Sequence, residues 1–182
     1  MADPSRRQPG VSASSAAAVS GSQGIVPRIL QSWWAPRRVL RDLSGMPDRV
    51  LVVILLFAML MFLVAQAPGH ARAAALDPSV PMGARMSGSA MAVLFVMPLV
   101  AYAVASLSAV IMRLFRRPLS PRHARLALFW ALLAISPAML LSGLVEGLIG
   151  PGPALTLTRA VAGLGFCLIW GAGLSALSAH DR

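Results

Sequence analysis

Lysine is missing from this chain, and every one of its sixteen basic residues is arginine. Together with the heavy alanine usage, this reads as the codon bias of a GC-rich genome and not as a demand for guanidinium geometry. Cysteine is nearly missing as well. The single Cys167 lies inside an apolar run, so one chain can form no internal disulfide, no CxxC redox pair and no thiolate zinc cluster. Histidine is scarce, and His70, His123 and His180 all fall in expected loops or the tail. A zinc site needs several convergent ligands, so no metal and no cofactor is expected. Of the six acidic residues only Glu146 falls within an expected span, which leaves it no second membrane carboxylate as a partner.

These absences remove most chemistry. Catalysis inside a membrane needs a nucleophile with a base, paired carboxylates or metal ligands at depth. The chain has no P-loop, no glycine-rich fingerprint after a strand and no HExxH. Ser142-Gly143 matches part of a rhomboid-protease serine motif, but Leu140 stands where the preceding glycine belongs. No catalytic residue is assigned, and the chain is not expected to be an enzyme.

What the chain has is apolar length. Of its 182 residues 57% are hydrophobic and 12% charged, and the mean hydropathy is +0.73. That composition belongs to a polytopic membrane protein. A net charge of +10 would suggest nucleic acid in a soluble protein. Here the arginines flank apolar runs, so anionic lipid and the positive-inside rule explain them, and no nucleic-acid partner is expected.

Residues 1–24 are rich in Ala, Ser, Gly and Pro without apolar periodicity, and are expected to form a disordered tail. Ser5-Arg6-Arg7 lacks the apolar region that an export signal requires. Over residues 25–48, Ile29, Leu30, Trp33, Trp34, Val39, Leu40 and Leu43 recur at helical spacing opposite Arg28, Arg37, Arg38 and Arg41. Tryptophan favours the headgroup level and arginine faces anionic lipid, so the spacing predicts two short helices along the membrane surface, the second opened by Pro36.

Residues 49–182 carry four expected spans, at about 50–67, 88–112, 126–149 and 158–179. Each is long enough to cross a hydrocarbon core of roughly 30 Å. Residues 68–87 read as an extramembrane connection. Pro98 and Pro137 should free the carbonyls of Leu94 and Leu133 and bend the second and third spans. Gly150-Pro151-Gly152-Pro153 forces a tight reversal between the last two.

Without a hydrophobic drive between helices, packing relies on small residues. Ala101, Ala105 and Ala109 form one such stripe; Ala127, Ala131, Ala134, Ala138, Ser142 and Glu146 trace a second. Gly163, Cys167, Gly171, Ser175 and Ala179 form a third. All three are expected to face inward in a compact four-helix bundle. Gly143 and Gly147 make a GxxxG, a weak signal in a chain so rich in Gly and Ala. Glu146 reads either as a proton or cation site or, as we favour, as a structural ion pair with Arg159 across the Gly-Pro turn.

Several of these stretches resemble a known family. Trp33/Trp34-Ala35-Pro36-Arg37, then Ala124-Arg125-Leu126-Ala127-Leu128-Phe129-Trp130-Ala131-Leu132-Leu133 and Gly150-Pro151-Gly152-Pro153-Ala154-Leu155 are similar to the small alphaproteobacterial membrane proteins of the Yip-domain family. The resemblance spans about Gln31 to Leu177. Eukaryotic members bind Rab-type GTPases and act in vesicle traffic, usually with five spans where this chain has four. The resemblance therefore implies the architecture and brings no catalytic residue.

The sequence thus predicts an all-α, four-span protein of the bacterial inner membrane with both termini cytoplasmic. That orientation leaves thirteen arginines inside and only Arg72, Arg85 and Arg159 outside. The expected function is interaction, assembly or membrane organisation through Arg37, Arg38, Arg41, Arg113, Arg116, Arg117, Arg122 and Arg125. Expected partners are anionic lipid, a membrane or cytoplasmic protein, and further copies of the chain as a homo-oligomer. The competing reading is a small transporter or channel subunit using Glu146.

Overall fold

The structure, a computed structural model, describes residues 24–180. The expected tail, apart from Gly24, and Arg182 at the other end lie outside the described residues. The chain forms α1 (Ile25–Gln31), α2 (Pro36–Asp42), α3 (Asp48–Leu76), α4 (Met82–Met91), α5 (Met97–Leu114), α6 (Pro121–Ala134), α7 (Ser136–Leu148) and α8 (Pro153–His180), with no strand among the described residues. A π-helical turn, Ala92–Val96, joins α4 to α5. Four stretches are long and apolar enough to cross a membrane: Asp48–Leu76, Met82–Leu114, Pro121–Leu148 and Pro153–Ala179. They run up and down through short connections. Large apolar side chains such as Val53, Leu56, Leu60, Leu99, Leu164 and Leu168 stay exposed, as lipid-facing positions do.

The connection expected over residues 68–87 shrinks to 77–81, because α3 runs on through Pro68 to Leu76 and α4 begins at Met82. Proline forfeits one hydrogen bond there, but Ala71, Ala73, Ala74 and Ala75 are strong helix formers. Asp77 ends the helix. Its carboxylate accepts from the backbone N–H of Ser79 at 3.1 Å and from the Ser79 hydroxyl, and it pairs with Arg85 at 3.2 Å. The Ser79 hydroxyl first, and then its N–H, hold the Asp77 carboxyl below its usual range.

The two span prolines act differently. Pro98 cannot donate to Leu94, and the preceding turn widens so that the Met97 N–H reaches Ala92, a π-type bond. Pro137 breaks the third span outright at Ile135, between α6 and α7. The Leu133 carbonyl that Pro137 cannot serve accepts from the Ser136 hydroxyl and from a backbone N–H at the close of α6, which satisfies the backbone inside an apolar setting.

The core is organised around α6, where Leu126 to Ala131, Leu133 and Ala134 are buried. Helices α2, α3, α5 and α8 surround it. The second-span stripe, Ala101, Ala105 and Ala109, is buried as expected. The third-span stripe also faces inward at Ala127, Ala131, Ala134 and Ser142. The GxxxG is used in full. A Cβ on Gly143 would overlap the Ala65 carbonyl, and one on Gly147 would collide with Pro68, so α7 lies directly on the α3 backbone.

The fourth-span expectation is overturned. Gly163, Cys167, Gly171 and Ala179 are exposed and Ser175 is half-buried. Instead α8 turns Ala162, Gly165, Ile169, Gly173, Ala176 and Leu177 inward. The reason is the N-terminal segment. A Cβ on Gly165 would lie 2.7 Å from the Trp33 ring, and one on Gly173 would lie 2.7 Å from Leu40 and 3.2 Å from Ala127. Gly165 and Gly173 leave room for Trp33 and Leu40, two side chains expected at the membrane surface.

Accordingly α1 and α2 each pack one face on the bundle, while Ile25, Val26, Leu30, Arg37, Arg38 and Arg41 stay exposed. Val39, Leu40 and Leu43 are buried. The Trp33 indole donates to the Ala134 carbonyl at 3.1 Å, and the Trp130 indole donates to the Ser32 hydroxyl at 2.8 Å. Ser32 in turn donates to the Arg28 carbonyl at 2.7 Å. Ala134 lies eight residues past Leu126, about 12 Å along a helix. The turn between α1 and α2 is therefore level with the α6–α7 break. Only Trp34, 81% exposed, keeps the outward position expected of both tryptophans.

Candidate functional site

The starts of α3 and α6 meet at the arginine-rich end. Asp48, in the first turn of α3, pairs with Arg122 at 3.5 Å and Arg125 at 3.3 Å. Arg122 also donates to the Met46 carbonyl, and the Arg125 guanidinium stands 5.9 Å from the Tyr102 ring centre. Tyr102 packs edge-on against Phe129. These two arginines clamp three helices together. A carboxylate at the start of α3 is also favoured by the helix dipole.

The remaining six of the eight arginines singled out from the sequence, Arg37, Arg38, Arg41, Arg113, Arg116 and Arg117, are exposed. None of these six forms an ion pair among the described residues. Arg113, Arg116 and Arg117 are presented by the end of α5. The Arg116 N–H donates to the Arg113 carbonyl and the Arg117 N–H to the Met112 carbonyl, both at 3.0 Å. That is the Schellman closure of a helix, with Arg116 at φ 55° where glycine is usual. A long, charged residue in the left-handed conformation costs more than glycine would at this position.

At the opposite end, Arg159 donates to Glu146 at 2.9 Å. The pair sits over Gly69, whose absent side chain leaves room for the Glu146 carboxylate at 3.0 Å from a notional Cβ. With the side chains 57% and 40% exposed, this is a rim pair and not a buried one. Arg72 reaches the Gly147 carbonyl at 3.5 Å and lies against Gly150, which takes φ 94°. A cation on the last carbonyls of α7 complements its dipole.

His70 exchanges a hydrogen bond with Ser89 at 2.7 Å. Among the described residues no group of His, Cys, Asp and Glu could hold a metal ion. A cavity of about 580 Å³ lies between α5 and α8 and is walled by apolar side chains with Gln66. Gln66 spends its amide on the Phe62 carbonyl at 3.3 Å.

Sequence reasoning singled out the arginines and Glu146 but missed Asp48, Arg72, Ser32 and Trp33 as structural polar groups. Asp48 carried a signal, being an acidic residue at a helix start. The partners of Trp33 and Ser32 lie about a hundred residues away and left none. Comparison with protein-family models, curated proteins and solved structures finds no match to this chain.

Proposed function

We propose that this chain is a non-enzymatic, multi-pass protein of the bacterial inner membrane that organises partners or lipid through a cytoplasmic arginine face. The observation that carries this reading is the division of labour among the arginines. Arg122 and Arg125 are tied to Asp48, while Arg113, Arg116 and Arg117 at the close of α5 and Arg37, Arg38 and Arg41 on α2 stand exposed without an ion pair among the described residues. An arginine near an anionic leaflet contributes about 1 kcal/mol. The resemblance to the Yip-domain family is in keeping with a membrane-organising role. The proposed orientation rests on charge bias, since it leaves Arg72, Arg85 and Arg159 outside and the larger share of the arginines inside.

Neutralising Arg113, Arg116 and Arg117 to Gln should leave accumulation and orientation intact and lower recovery of crosslinked neighbours from native membranes. Unchanged recovery refutes the reading. Orientation is read separately from Ala75→Cys and Pro118→Cys in a Cys167→Ala background. Only Ala75→Cys should react with an impermeant thiol reagent added from the periplasmic side.

A second reading, transport, draws on the breaks at Ala92–Val96 and Ile135, because interrupted helices line substrate paths in transporters. It would need Glu146, which Arg159 already engages. Proton or cation flux in proteoliposomes that vanishes with Glu146→Gln would favour it.

A further inference from the structure

Helices α5 and α8 both line a lateral cleft but are not packed on each other. Its deep part is the 580 Å³ cavity, with Val100 and Val104 of α5 facing Phe166 and Trp170 of α8 across a floor of Leu128 and Leu132. Toward the arginine-rich end, a second cavity of about 410 Å³ lies between Met112 on α5, Phe115 just past its end, and Gly171, Leu174 and Ser175 on α8, and is lined also by Arg117. The two are in line along the same helices.

We propose that this cleft seats one anionic diacyl phospholipid from the leaflet at the arginine-rich end, its acyl chains in the trench and its phosphate on Arg117. The proposal rests on the reading that this end meets anionic lipid, and assigns that contact a shaped site. Length supports it. From Phe166 to Ser175 is nine residues, about 14 Å of helix, close to half of a hydrocarbon core of roughly 30 Å. The trench is one leaflet deep.

Chemistry supports it as well. The polar groups of the deep part are the Gln66 amide, whose N–H is engaged by the Phe62 carbonyl, and the unpartnered indole N–H of Trp170, so water entering there finds few partners while hydrocarbon loses little. Met59, Met97 and Met139 line it with flexible thioethers that conform to an irregular chain. Near the mouth, Gly171 and Ser175 leave the width that larger residues would close. Arg117 is exposed and makes no ion pair among the described residues, and the α5 closure holds Arg113 and Arg116 beside it. Guanidinium is well matched to phosphate oxygens.

Open space at Gly171 makes the site testable, since a Cβ there meets nothing within 4 Å. The full-length protein is reconstituted into bilayers of phosphatidylglycerol and phosphatidylcholine at one to four, extracted in mild detergent and weighed by native mass spectrometry. The wild type should retain one phosphatidylglycerol in preference to phosphatidylcholine. Gly171→Trp should abolish retention, Arg117→Gln should lower it about fivefold, and Gly88→Trp, at an equally open site on α4 that lines neither part of the cleft, should leave it unchanged. Ser175→Phe repeats the block if Gly171→Trp fails to fold.

Retention that survives both blocking variants but falls with Arg117→Gln overturns the seat while leaving the arginine face as a diffuse lipid contact. Equal retention of both lipids by every variant overturns the seat and the anionic-lipid reading together. A wild-type mass of two chains that reverts to one with Gly171→Trp, with no lipid retained, assigns the cleft to a second copy and also overturns the proposal.

Discussion

The indole N–H of Trp33 donates to the carbonyl of Ala134, joining a residue that precedes the first span to the break in the middle of the third. The ring fills the gap left by Gly165 on α8. One tryptophan thereby connects three parts of the chain, where it satisfies a carbonyl and occupies space that no local partner could fill.

Trp33→Phe keeps most of the ring and removes the donor, and should cost about 1 kcal/mol from the lost hydrogen bond. Gly165→Leu drives a side chain into the ring and should cost more, on the order of 1–3 kcal/mol. Gly163→Leu, two residues away in open space, should be neutral or slightly stabilising. Thermal unfolding in detergent orders the three. A Gly163→Leu loss as large as that of Gly165→Leu would place the wrong face of α8 inward.

Gly143 and Gly147 should be the least replaceable glycines of the bundle. Gly143→Ala meets the Ala65 backbone, which cannot rotate away, so α3 and α7 must separate. We expect a loss of about 1–3 kcal/mol and a drop in accumulated protein. Gly171→Ala, tested alongside, should show neither.

Asp48→Asn removes the partner of both Arg122 and Arg125. The groups are partly exposed, so each pair is worth about 0.2–1 kcal/mol. The variant should melt a few degrees lower, and its deficit should shrink at high salt. Arg38→Gln, at an exposed arginine with no ion pair among the described residues, should leave the melting temperature unchanged.

Glu146→Arg places two cations where Arg159 now meets a carboxylate. Stability in detergent should fall, and Arg159→Glu added to it should restore part of the loss. Because both side chains are substantially exposed, the coupling should be about 1 kcal/mol or less. Absence of any rescue in the double mutant would falsify a structural role for the pair.

The number of spans, their order and the sites of their bends were legible in the chain, because each depends on local facts. An apolar run must bury or face lipid along its whole length, and a proline removes one known N–H. Pro137 cannot donate to the Leu133 carbonyl whatever surrounds it; that Ser136 supplies a donor there needed the fold. The flanking of the apolar runs by arginines was equally local. The Ala stripes of the second and third spans were also readable, since small residues there do mark the close contacts.

Tertiary structure alone decided which face of α8 turns inward and where α1 and α2 go. Gly163, Cys167, Gly171 and Ser175 form a spacing as good as Gly165, Ile169 and Gly173, and spacing says only that a face can accept a neighbour. It cannot say that the neighbour is Trp33 or Leu40. Likewise, exposed Arg117 and tethered Arg125 are the same residue type in the same basic stretch, and their difference arises from Asp48, brought to one of them by the folding of α3. Charge and apolarity are properties of single residues and survive in the sequence, whereas a partner is a property of two residues and exists only once the chain has closed.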